Sequence, residues 1–275
     1  MNALALLPAR GVIELTGEDR VGFLQGLVSN DVALAVPGRV VWAALLTPQG
    51  RWLADFFVFA DGQRLLLDVE REQAAQLVQR LGRFRLRAKV ALRDISGNMA
   101  VYAAWGGTPM LPEGAVAAPD PRVEGAGWRI LSPTPLTATA DAAAWDRHRL
   151  SLGLPDGTVD LDVEKTLLLE AGFDELNGVS WSKGCYMGQE LTARTKYRGL
   201  VKRRLVPVDI VGEAPPPGTS VLRDGVEVGA LRSARDGRGL ATLRLEAIGA
   251  TALHCGAATL RPDVPAWMRL PEVAS

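Results

Sequence analysis

Trp181-Ser-Lys-Gly-Cys-Tyr-Met-Gly-Gln-Glu-Leu-Thr-Ala-Arg-Thr-Lys-Tyr-Arg-Gly199 is the most unusual stretch of this 275-residue chain. Gly184 and Gly188 bracket Cys185-Tyr186-Met187, and glycine permits a tight turn and close approach of backbone to a ligand. Gln189 to Thr195 favours a helix, so Cys185 is expected just ahead of a helix N-terminus. Free N–H groups and the helix dipole favour an anion there. Lys183 precedes the cysteine, and Arg194, Lys196 and Arg198 follow it. Seven basic residues and one acidic residue lie between 183 and 204. Each of these features favours thiolate over thiol, which would make Cys185 a nucleophile or a metal ligand. The competing reading is a small residue in a glycine-rich turn among solvated cations. Cys255, in Leu253-His-Cys-Gly256, reads as a buried core thiol.

The rest of the composition narrows the options. The chain is 48% hydrophobic, enough for a sizeable core. Lys+Arg and Asp+Glu are both 31, so polyanion binding through bulk charge is not expected, a local basic patch stays open, and no direct nucleic-acid partner is expected. Two cysteines and two histidines form neither a disulfide framework nor a four-thiolate metal site within one chain. No histidine lies near Cys185 in sequence, which argues against a thiol hydrolase. The longest apolar run, Val40 to Leu46, falls far short of the roughly 20 residues of a membrane span, so no membrane partner is expected. The N-terminus has no early positive charge and no cleavable apolar segment. It reads as the start of a cytoplasmic protein.

Along the chain, residues 11–16 read as a strand, and a helix follows from the acidic turn at Glu18-Asp19 to about Ser29-Asn30-Asp31. Residues 40–46 and 52–60 are apolar runs joined by a Pro- and Gly-containing hairpin turn. Leu65 to Val69 is a further strand, and Glu70 to Leu81 a helix burying Ala74, Leu77, Val78 and Leu81. Phe84 to Val90 alternates apolar and basic residues and is expected to be a strand. Its cations either protect a solvated edge or line a cleft for an anionic ligand. Residues 106–127, with four prolines and five glycines, read as a loop. Asp141 to Leu152 is a helix, on which His148 reads as a surface or core histidine. From Val206 onward, short strands broken at Asp224-Gly225 and Asp236-Gly237 read as a small β-barrel or sandwich.

Lys183-Gly184-Cys185-Tyr186-Met187-Gly188-Gln189-Glu190 resembles the K-G-C-Y-x-G-Q-E signature of the folate-binding YgfZ family. That family includes the mitochondrial iron–sulfur assembly factor of the same type. Leu191-Thr-Ala-Arg194-Thr and Arg198-Gly199 extend the likeness toward the mitochondrial branch. Leu169-Glu170-Ala-Gly-Phe-Asp-Glu-Leu-Asn177-Gly178-Val-Ser180 resembles the segment leading into the signature. Phe23-Leu24-Gln25-Gly26-Leu27 with Asn30-Asp31, and Pro48-Gln49-Gly50-Arg51, are similar to two further family patterns.

The resemblance implies the α+β fold of the glycine-cleavage aminomethyltransferase (GcvT), three lobes around a tetrahydrofolate site with a C-terminal β-barrel. The lobes would fall at 1–200, with the second (roughly 40–95) inserted in the first, and the barrel at 203–275. It implies tetrahydrofolate as cofactor, with Glu170 accepting from the pterin edge. Lys183, Tyr186, Gln189, Arg194, Arg198 and Asp31 would be the other folate-site residues. Leu66-Leu67-Asp68-Val69-Glu70 departs from the aminomethyltransferase pattern, so no catalytic role is carried to Asp68.

The implied function is help with iron–sulfur cluster assembly or repair, Cys185 acting beside the folate. One thiolate cannot hold a cluster, so a partner of the A-type carrier class must supply other ligands, and no stable cluster is expected in the chain alone. Any effect on tRNA modification would be indirect, through an iron–sulfur enzyme. The alternative is a folate-dependent one-carbon transferase or demethylase acting on a small amine.

Overall fold

A computed structural model describes residues 2–270. The last five residues of the segment expected to form the barrel, 271–275, lie outside the described residues. In chain order the elements begin with β1 (Ala3–Leu6), β2 (Arg10–Thr16), α1 (Arg20–Gln25), β3 (Val41–Leu46), β4 (Trp52–Asp61), β5 (Arg64–Glu70), α2 (Ala74–Gly82) and β6 (Ala91–Asp94). There follow β7 (Ala100–Trp105), β8 (Val116–Pro119), β9 (Trp128–Ser132), α3 (Ala142–Leu152), α4 (Gly157–Asp160) and α5 (Gln189–Tyr197). The last group is β10 (Arg203–Val211), β11 (Ser220–Arg223), β12 (Val226–Arg235), β13 (Arg238–Arg244), α6 (Leu245–Ile248), β14 (Leu253–Cys255) and β15 (Ala258–Pro262).

Three β structures result: a five-stranded sheet β3-β4-β5-β2-β6, a four-stranded sheet β1-β7-β9-β8, and a closed barrel β10-β13-β12-β11-β14-β15. The α+β architecture with its C-terminal barrel is the fold expected from the sequence.

The central strands of the five-stranded sheet are apolar on both faces because both faces are covered, so they read as runs and not as alternations. Trp42, Trp52, Phe57 and Leu66 face the core shared with the four-stranded sheet and α3. Val41, Phe56, Val58 and Leu67 face the core under α1 and α2. The barrel encloses Val206, Leu231, Leu243, Cys255 and Leu260. Burial pushes the Cys255 thiol up in pKa, as befits a core sulfur. Asp224-Gly225 and Asp236-Gly237 take positive φ throughout, as tight two-residue hairpins require.

Three expectations are corrected. Phe84 to Val90 joins no strand, and the chain continues from α2 as hydrogen-bonded turns with Leu86 at φ 44. Strand β6 starts only at Ala91, where β2 offers a partner. The first helix ends at Gln25, six residues before Asp31, and Gly26 caps it. Val28 leaves it to bridge Leu45. Part of the 106–127 loop, β8, adds an edge strand to β9. The five-stranded sheet takes in β2 and β6, from Arg10 to Asp94, because β2 pairs both β5 and β6.

Where the lobes meet, the core is ionic. Asp68 accepts from Arg10 Nε at 2.7 Å and from Arg129 Nε at 3.0 Å. Arg122 pairs Asp120 through two nitrogens and donates to Pro155 O at 2.9 Å. Burial alone would raise the Asp120 pKa, but the Arg122 guanidinium holds it below the usual carboxylate range. Arg122 and Arg129 also lie 5.0 and 4.5 Å from the Phe57 ring centroid. Arg149 donates to Asp160, which also accepts from Ser233 of β12 and so ties the barrel to the first lobes.

Candidate functional site at the signature loop

The signature segment is held by the patterned N-terminal segment. Lys183 Nζ donates to the carbonyls of Gln25 (2.7 Å), Val28 (2.8 Å) and Asn30 (2.8 Å), engaging all three of its hydrogens. Burial pulls this ammonium down to about 8, with Asp31 opposing the shift. Asn30 Nδ2 donates to Asn177 O at 2.7 Å, Ser29 Oγ to Gly178 O at 2.6 Å, and Met187 N to Gly26 O at 3.1 Å.

Tyr186 and Met187 are plugs. Tyr186 packs in the core facing the four-stranded sheet and Met187 against the core under α1 and α2. Cys185, immediately before them, is a free and exposed thiol. Gly188 at φ 81 then opens α5. A Cβ on Gly188 would stand 2.6 Å from Thr47 O, and one on Gly50 2.7 Å from Gly188 O. The β3–β4 turn and the start of α5 therefore meet backbone to backbone, which only glycine allows.

The residues expected at the folate site separate into groups. Cys185, Lys183, Tyr186, Gln189 and Asp31 share one neighbourhood, but most are engaged locally. Asp31 Oδ1 accepts from Ala33 N (3.0 Å) and Gln25 Nε2 (2.8 Å). Gln189 Oε1 accepts from Tyr186 N at 3.2 Å. The Tyr186 phenol is buried beside Thr192 and pushed up to about 12 by that burial. Arg194 and Arg198 are exposed on and just after α5 and form no ion pair among the described residues. Glu170 lies elsewhere. It lines a cavity of about 180 Å³ with Asp162, Lys165, Arg203 and Thr242, at the junction with the barrel. Burial raises its pKa as well.

A larger groove, about 710 Å³, lies beside the signature and is lined by Asn30, Arg39, Trp42, Asn177, Trp181 and Ser182 among others. Its volume falls within the range of small-molecule sites. Trp181 is fixed by Asp174, which accepts from its Nε1 at 2.7 Å and also pairs Lys196. Lys196 lies over the Trp181 ring, and Tyr197 meets that ring edge-on.

Behind the groove, Trp42 stacks on Phe173 at 4.0 Å and donates from Nε1 to Asp55 Oδ2 at 2.8 Å. The other oxygen, Asp55 Oδ1, is buried with no partner. Desolvation pushes Asp55 up to about 6 against the pull of Arg10. Trp42, Asp55 and Arg122 were not foreseen. A lone carboxylate inside the apolar run Trp52-Leu-Ala-Asp-Phe-Phe57 was the available signal. For tetrahydrofolate, the groove's size, the exposed Trp181 face, the Asn177 amide and the Arg39 cation fit a bicyclic heteroaromatic with an anionic tail. Glu170 is not part of that groove. Among the described residues, no group of three or more His, Cys, Asp or Glu is placed to hold a metal ion. No described helix is long and apolar enough to cross a membrane.

Comparison with known proteins places this geometry. The fold is that of the glycine cleavage system aminomethyltransferase T from Bartonella henselae, with a TM-score of 0.76 over 98% of this chain and 87% of that one at 14% identity. Residues 202–270 match the family model of the CAF17 C-terminal β-barrel domain. The chain is thus an aminomethyltransferase-fold protein with a CAF17-type barrel.

It is 33% identical over 300 residues to the human mitochondrial iron–sulfur cluster assembly factor IBA57, covering 95% of this chain and 84% of the human protein. It is 37% identical over 240 residues to the mitochondrial IBA57 homologue of Mycosarcoma maydis, covering 79% of this chain. The chain spans 60% of the length of that fungal relative. The chain belongs to the IBA57 family. The cytoplasmic placement expected from the N-terminus is overturned by these relatives, which are named as mitochondrial.

Proposed function

We propose that this chain assists iron–sulfur cluster assembly or repair, offering Cys185 as a single thiol beside a folate-binding groove. The observation that carries the reading is an exposed cysteine on a loop otherwise locked in place, whose Trp181 and Ser182 line a groove of small-molecule size. Lys183, Tyr186 and Gln189 position the loop. Cys185 reaches outward, and a cluster as cargo would need ligands from a second protein. An A-type carrier is the partner proposed, and the likeness to the folate-binding YgfZ family belongs to the same proposal. The one-carbon transferase reading is not favoured. The relatives are named as assembly factors, and the likeness to an aminomethyltransferase at 14% identity concerns the fold alone.

In the groove the Trp181 face would stack on the pterin or benzoyl ring, Asn177 would hydrogen-bond it, and Arg39 would meet the glutamyl carboxylates. Bound tetrahydrofolate supplies one-carbon or reducing chemistry.

Two measurements test the reading. Mixing the chain with a purified A-type carrier under cluster-loading conditions should give a visible cluster absorbance that Cys185→Ser abolishes. A stoichiometric cluster in the chain alone, or full absorbance with Cys185→Ser, overturns it. Equilibrium titration with tetrahydrofolate should show weakening of about tenfold in Trp181→Ala, the loss of one stacking contact, with Glu170→Ala near wild type. The opposite pattern moves the folate to the barrel junction.

A further inference from the structure

The turns after α2 stand apart from everything used so far. Residues 80–89 (Arg-Leu-Gly-Arg-Phe-Arg-Leu-Arg-Ala-Lys) carry five cations and no acid, in a chain with equal numbers of each. The tip is ordered. Arg83 N, Phe84 N and Arg85 N bond to the carbonyls of Arg80, Leu81 and Gly82, and Ala88 N to Arg85 O. Lys89 N is held by Asp19 Oδ2 at 2.7 Å, and the Lys89 ammonium pairs Glu18. Leu86 adopts φ 44, a left-handed conformation that a leucine takes only against strain, and is 89% exposed. Phe84 is 40% exposed. Arg83, Arg85 and Arg87 are exposed and form no ion pair among the described residues.

An apolar pair set among unpaired arginines, on a preformed projection, is the makeup of an interface anchor with a charged rim. Its position adds a second argument. Asp19, just before α1, holds the tip, and Gln25 at the other end of α1 is gripped by Lys183 of the signature loop. A helix of six residues spans about 9 Å, so the base of the tip and the Lys183 anchor of the signature loop sit at the two ends of one short rod. A protein partner covering roughly 800 Å² can span both.

We infer that the 80–89 tip is a docking knob for an acidic protein surface with an apolar pocket, and that its occupant is the carrier that completes the cluster site at Cys185. This rests on the assembly reading above and adds the partner's chemistry: acidic, with an apolar pocket for the tip. A bilayer surface is the less suited occupant, since it needs no fixed knob.

The test uses the full chain and a purified A-type carrier, with association and dissociation rates measured at about 50 mM and about 200 mM salt. The Arg83→Glu/Arg85→Glu/Arg87→Glu variant should associate at least about tenfold more slowly at low salt and lose the salt dependence. Leu86→Asp should mainly raise the dissociation rate. Cys185→Ser should bind at the wild-type rate yet form no cluster, which separates docking from assembly. Circular dichroism checks that each variant is folded. Wild-type rates in both tip variants overturn the knob while leaving the role of Cys185 intact. Loss of cluster absorbance in the wild-type mixture overturns the assembly reading itself. Tip-dependent binding to phosphatidylglycerol vesicles without binding to the carrier overturns the protein partner in favour of a membrane.

Discussion

Arg10, Arg122, Arg129 and Arg149 are each at most 4% exposed, and each meets an aspartate. Arg194 and Arg198, exposed on and just after α5, meet no carboxylate among the described residues. The same side chain serves two purposes because the cost of desolvation differs. Inside, a guanidinium without a counter-charge costs several kcal/mol, so every one is matched and the match fixes how the lobes join. Outside, water already solvates the charge, so it need not be matched within the chain and stays free for a ligand or partner. Lys183 is the intermediate case. It belongs to the signature yet is anchored by three carbonyls, like an interior group.

The sharpest way to break the comparison is Asp68→Ala, which strands two buried guanidiniums at once. A loss of about 3–5 kcal/mol is expected in urea unfolding. An unchanged midpoint would mean that the central ion pairs do not hold the lobes together. The next effect is pH-dependent. Asp55 holds its proton more tightly when folded than the unfolded chain does, with its pKa raised from 3.8 to about 6. Its contribution to stability is therefore full below about pH 4 and lost as pH rises through about 6. Between about pH 4 and about pH 7, Asp55→Asn should gain about 3 kcal/mol on wild type, read from urea midpoints across that range. Parallel profiles would show that the unpartnered oxygen carries no penalty. The smallest effect belongs outside. Arg194→Ala and Arg198→Ala should each change stability by less than about 0.5 kcal/mol. A larger loss would mean that these arginines are structural after all.

The hairpin at Pro48-Gly50, the helix ending at Leu152 and the Asp-Gly turns of the barrel were legible because their causes are local. A turn residue or a periodicity says what the next few residues do. The signature was legible for the same reason, being contiguous. The ionic centre was not, because Asp68 finds its partners 58 and 61 residues away, and a single acid in an apolar strand does not announce them. Glu170 was placed by likeness to a neighbouring segment, and the fold sends that side chain to the barrel junction. Phe84 to Val90 failed differently. Its alternation suits a strand, but no neighbouring strand pairs with it, and although Val90 is buried in the core under α1 and α2, Phe84 and Leu86 stay in solvent.

Gly50 and Gly188 touch through their backbones across 138 positions of chain. The thiol three residues before Gly188 is therefore displayed in its native setting only after the β3–β4 hairpin has closed. A polypeptide stalled earlier in maturation would show a wandering sulfhydryl. Alkylation of Cys185 at a uniform rate thus becomes a readout of completed assembly more than a hundred residues upstream.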